Sequence, residues 1–80
     1  MNMTNEIIKS TLGDLLKVLD ARSTISIYTN KTTRVFYGEV FLFLADASAM
    51  RKYKNYIVTG VIINLVNNIM ISEEGGEDHD

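Results

Sequence analysis

Thr11-Leu12-Gly13-Asp14-Leu15-Leu16-Lys17-Val18-Leu19-Asp20 runs, across only Ala21-Arg22-Ser23, into Thr24-Ile25-Ser26-Ile27-Tyr28. The change of period between these two stretches decides the fold. In the first, Leu12, Leu15, Leu16 and Leu19 stand at i, i+3, i+4 and i+7, the spacing of a helix with one buried face. Ile8 adds one more position to the stripe. Thr11 is placed to cap the helix by accepting the N–H of Asp14, whose carboxylate then lies near the positive end of the helix dipole. Gly13 costs about 1 kcal/mol relative to Ala inside a helix, so residues 5–10 read as a separate or frayed turn. In the second stretch the period is two, with Ile25 and Ile27 on one side and Ser26 and Tyr28 on the other, as in a strand.

Downstream, Asn30-Lys31-Thr32-Thr33 supplies a polar turn, and a return strand runs from Arg34 through Val35, Phe36 and Tyr37 to Gly38. A strand glycine marks a bulge or a close backbone contact. Phe41 and Phe43 alternate with Leu42 and Leu44, which reads as a strand segment apolar on both faces. Asp46 is placed to cap a short helix, Ala47 to about Tyr53. The final hairpin is expected to run from Ile57 to Val66, turn at Asn67-Asn68, and return from Ile69 to Ser72, because asparagine tolerates the positive φ of a tight turn. That register puts Val61, Ile63, Leu65 and Met70 on one face and Val58, Ile62, Val66, Ile69 and Ile71 on the other. Neither face is polar. The expected architecture is therefore α+β: an N-terminal helix packed on a curved four-stranded antiparallel sheet, two hairpins joined by a short helical connection, with a partly closed small barrel as the variant.

The leucine-rich helix, the segment Phe36-Tyr37-Gly38-Glu39-Val40, and Val58-Thr59-Gly60-Val61-Ile62 leading into Ile69-Met70-Ile71 resemble a family of small proteins encoded by phages and prophages of Gram-positive bacteria. The resemblance covers about Leu12 to Ser72 and rests on apolar positions and turn glycines. It implies a phage or prophage origin and a scaffold, but no chemistry. Members of that family usually follow the aromatic-x-Gly-x-Val segment with an acidic-Ile-Pro step and a short acidic helical turn. This chain has Phe41-Leu42-Phe43-Leu44-Ala45-Asp46 there, and no proline anywhere.

Eighty residues make one domain, expected over 1–72, and a chain this short buries only about 60% of its unfolded surface. With no cysteine and one histidine, neither a disulfide nor a zinc site is available to staple it. Packing must suffice, aided by self-association. Residues 1–72 carry all eight basic side chains against five acidic ones, a balance of +3, whereas Glu73, Glu74, Glu77, Asp78 and Asp80 give the end of the chain −5. Lacking aromatic and β-branched residues, 73–80 reads as a disordered acidic tail. The longest apolar stretch, Ile57 to Ile71, is interrupted by Gly60, Asn64, Asn67 and Asn68 and falls short of the roughly 20 residues of a spanning helix. The N-terminus lacks the basic start and apolar centre of a signal peptide. The expectation is a protein of the bacterial host cytoplasm, without membrane attachment.

Reactive groups are sparse. The only histidine, His79, lies in the tail, and Asp14, Asp20, Glu39 and Asp46 read as caps or solvated positions. No nucleophile with a base and an orienting group is in view. We therefore expect no catalytic residues, no metal and no cofactor. Two function classes remain. The first is a non-enzymatic accessory protein that docks on a host or phage protein or on its own copy, through an association surface of Phe41, Phe43, Val58 and Ile62. Small phage-encoded inhibitors of bacterial defence, anti-CRISPR proteins among them, share this general profile. The second is a nucleic-acid-binding module using Arg51, Lys52, Tyr53, Lys54 and Tyr56, since basic side chains neutralise phosphates and tyrosines stack on bases.

Overall fold

The computed structural model describes residues 10–30 and 32–73. Helix α1, Leu12–Val18, is followed by strands β1, Thr24–Thr29, and β2, Thr33–Glu39. Helices α2, Val40–Ala45, and α3, Ala47–Tyr53, lead to strands β3, Ile57–Ile63, and β4, Asn67–Ser72. Helices and a four-stranded sheet make the fold α+β, as the change of period predicts. The expected turn upstream of Ser10 and the acidic tail beyond Glu73 lie outside the described residues. None of the helices described is long and apolar enough to cross a membrane.

The sheet order is β2-β1-β4-β3. Both hairpins are antiparallel, but β1 and β4 run parallel, with Ile27 beside Ile69 and Thr29 beside Ile71. The sheet is thus mixed, not purely antiparallel. Topology explains why. The two helices return the chain to the far side of the sheet, so β2 and β3 run in the same direction at opposite edges, and each inner strand inherits its direction from its own hairpin partner. With β2 and β3 both at edges, the sheet is open and the barrel variant is excluded.

Leu12, Leu16, Ile25, Ile27, Val40, Phe43, Ile69 and Ile71 form the buried core on the helix side of the sheet. Thr11 Oγ1 accepts the N–H of Asp14 at 3.2 Å, and Asp46 Oδ1 accepts the N–H of Ala49 at 3.1 Å, so both expected caps are present. Thr11 is extended, ending α1 there and separating it from anything upstream. The Gly13 N–H donates to the Lys54 carbonyl at 2.9 Å, and a Cβ at Gly13 would meet that oxygen at 3.2 Å. The close approach of α1 to the end of α3 outweighs the poor helix propensity of glycine.

Three local expectations are overturned. Val40–Ala45 is helix, not strand: the Val40 and Phe41 N–H groups donate to the Ser23 and Ala21 carbonyls, and the helix buries Val40 and Phe43. A six-residue apolar run fits either period, and tertiary packing decides it. The final turn is Asn64-Leu65-Val66, not Asn67-Asn68. Asn64 Oδ1 accepts the Val66 N–H at 3.2 Å and a bond from Asn68 Nδ2 at 3.3 Å, and the Asn64 N–H donates to the Val66 carbonyl. A side chain that mimics a backbone turn displaces the turn by three residues. Third, the β3 register shifts between Val58 and Gly60. This reverses side-chain parity, so Val61 joins Val58 on the helix side while Gly60 and Ile62 face away with Met70.

Gly38 sits at φ 156, and a Cβ there would lie 3.2 Å from the Phe36 ring, itself edge-on to Phe43 at 5.0 Å. The close contact is the reason for the glycine; the bulge of this hairpin lies elsewhere, between Ile27 and Tyr28. Gly38→Ala is expected to cost about 1–3 kcal/mol through backbone strain. Ile27→Ala should cost about 2–5 kcal/mol by leaving a cavity in the core. Denaturant unfolding measures both, and an unchanged midpoint for Ile27→Ala contradicts this packing.

Candidate interaction surfaces

The residues of the expected basic patch lie on the last turn of α3 and just beyond it. Arg51, Lys52 and Lys54 are exposed. Cations at a helix C-terminus complement its dipole without further purpose. Tyr53 and Tyr56 are half-buried against the core, and their rings meet edge to face at 5.1 Å. Lys52 Nζ lies 5.4 Å over the Tyr53 ring. Both rings are partly engaged inside the protein, and with Lys52 they border an open pocket beside Thr29, Asn30 and Ile71.

The four residues of the expected association surface do not come together. Phe43 is in the core and Val58 is packed against it. Phe41 is exposed on α2, which packs beside β2, whereas Ile62 is exposed on β3 at the opposite edge. Alternation of the presumed strand made Phe41 and Phe43 equivalent; in a helix they point different ways.

Two apolar surfaces emerge instead. On α2, every residue from Val40 to Ala45 is apolar, yet only Val40 and Phe43 are buried. Phe41, Leu42 and Leu44 are 42%, 49% and 40% exposed. Leu42 Cδ1 would lie 3.8 Å from a Cβ on Gly38, which places this helix face beside the end of β2. On β3, Val61, Ile62 and Ile63 are all exposed, with Leu65 at the tip of the turn. The composition of Phe41 to Leu44 signals the first surface. The second needed the register shift to be known.

The sheet side away from the helices carries a mixed surface. Tyr37, Ser26, Asn68 and Ile62 form one row across β2, β1, β4 and β3, and Arg34, Tyr28, Met70 and Gly60 form the next. Arg34 Cζ lies 5.0 Å over the Tyr37 ring. The missing side chain at Gly60 leaves a shallow groove between Ile62 and Met70. At the centre, Ser26 is buried and its Oγ has no hydrogen-bond partner among the described residues.

Among the described residues, four acidic side chains stand at helix starts or in a turn. Asp14 lies in the first turn of α1, Asp46 caps α3, and Glu39 precedes α2. Asp20 Oδ1 accepts the Arg22 N–H at 2.8 Å in the turn before β1. Among the described residues, no three metal-binding side chains cluster. No protein-family model, curated protein or solved structure matches this chain.

An unpartnered buried hydroxyl costs about 1–3 kcal/mol of desolvation, which its removal recovers. Ser26→Ala is therefore expected to raise unfolding free energy by about 1 kcal/mol. A loss of stability in thermal or denaturant unfolding would mean that the hydroxyl is bonded in solution.

Proposed function

We propose that this chain is a non-enzymatic phage or prophage accessory protein, acting in the cytoplasm of its host by binding another protein through the outer face of α2. The observation that carries this reading is that α2 is apolar all round while standing at the surface. A helix without a polar face belongs in an interior, and here four of its six side chains face solvent, three of them large. A partner surface of apolar side chains completes that interior. Small size and the structural positions of the acidic residues fit a role in binding, and the likeness in type to phage-encoded inhibitors of defence points to a host or defence protein as the partner.

A nucleic-acid role for Arg51 to Tyr56 has less support. Its three exposed cations give salt-sensitive attraction to any polyanion, while the two tyrosines that would add stacking are packed against each other.

The test is affinity capture from a Gram-positive host extract with the unmodified protein, Leu42→Lys and Lys52→Glu, each checked for folding by circular dichroism. The reading predicts one host protein recovered in stoichiometric amount, lost with Leu42→Lys and kept with Lys52→Glu. A partner indifferent to Leu42→Lys, or single-strand oligonucleotide binding abolished by Lys52→Glu, contradicts it.

A further inference from the structure

We infer that a second copy of this chain pairs along the second half of β3, joining two sheets into one of eight strands. The two edges of the sheet differ. The β2 edge carries Arg34 and Glu39, whereas β3 reads Ile-Val-Thr-Gly-Val-Ile-Ile, with no charge and no proline. Charges, prolines, bulges and covering segments are the usual devices that keep an edge from pairing.

The first half of β3 has two of these devices. The register shift at Val58/Gly60 breaks its line, and the upstream chain covers it: the Val58 N–H donates to the Ser10 carbonyl at 2.9 Å, and Thr11 bridges Ile57. Among the described residues, neither device operates from Gly60 to Ile63. That free run of four residues extends about 13 Å.

Backbone direction follows side-chain face along a strand, because both alternate with period two. Val58 faces the helix side and its N–H points away from β4, towards Ser10. Val61, opposite Ile69, and Ile63, opposite Asn67, face the same way. Their backbone groups therefore also point outward from the sheet. A two-fold axis through Ile62, perpendicular to the sheet, sets Val61 against Ile63 of the partner subunit twice over, with each pair exchanging two hydrogen bonds.

The same operation covers side chains on both sides. Val61 and Ile63, 43% and 72% exposed, meet across the axis on the helix side, and Ile62, 57% exposed, meets its own copy on the other. An edge strand apolar on both faces is unexplained in a monomer and required in the middle of a continuous sheet. The contact remains smaller than the roughly 800 Å² per partner of a standard interface, which makes it a weak, concentration-dependent dimer.

The experiment is sedimentation equilibrium of the full chain from low micromolar to millimolar concentration, with Ile63→Lys and Leu42→Lys alongside and amide exchange followed at Val61 and Ile63. A monomer–dimer equilibrium is expected, weakened at least tenfold by Ile63→Lys and unchanged by Leu42→Lys, with both amides slower to exchange in concentrated solution. Ile63 is exposed, so the lysine variant should keep its circular dichroism spectrum. A monomer throughout the range, or a dimer broken by Leu42→Lys and not by Ile63→Lys, overturns the inference. So do amides protected at every dilution that lose protection when residues 1–9 are removed, which would assign the edge to the chain's own upstream residues.

Discussion

Ile27 stands beside Ile69 and Thr29 beside Ile71 in the parallel pairing of β1 and β4, which brings the first and last strands together at the centre of the sheet. This contact constrains the remainder of the molecule. Two parallel strands cannot be joined by a tight turn, so the chain between them must leave the sheet and come back. It does so through α2 and α3, and those helices, with α1, form the layer that closes the core over Ile25, Ile27, Ile69 and Ile71. Among the described residues, one layer of short helices on an open sheet leaves the opposite face and the second half of the β3 edge without cover. The apolar surfaces are a consequence of that arrangement.

Chain length sharpens the effect. Helices of six and seven residues are too short to hold themselves together in water, and their stability comes from packing. In α2 the residues that pack are Val40 and Phe43, and nothing in folding the isolated chain requires Phe41, Leu42 and Leu44 to be apolar. The same holds for Ile62 and Ile63. Apolar residues beyond the needs of the core are the physical ground for reading this small domain as a binding protein.

Much of the fold was legible in the sequence where one local signal dominated. The leucine spacing of α1 with its Thr11 cap, the alternation of Ile25 and Ile27, and the Asp46 cap of α3 each have a single good local solution. Legibility ended where two solutions compete. Val40–Ala45 is apolar at every position, so neither period is marked, and the choice fell to the Ser23 and Ala21 carbonyls that receive its first N–H groups. Three asparagines within five residues offered several turns, and Asn64 won by bonding both Val66 and Asn68. The parallel joint has no local signature, since strand direction is set by the crossover. The expected association surface failed for the same reasons: Phe41 and Phe43 were separated by the helix, and Val58 and Ile62 by the register shift.

The parallel pairing of β1 with β4 is the claim on which the faces, the edges and both proposed surfaces rest. Nuclear Overhauser spectroscopy on labelled protein measures it directly, through the protons of Ile25 to Thr29 and Asn67 to Ile71. Parallel pairing predicts contacts from α protons to amide protons that advance together along both strands, with Ile27 nearest Ile69. Close contacts between α protons across β1 and β4, the mark of antiparallel pairs whose Cα atoms approach to about 4.5 Å, would contradict it.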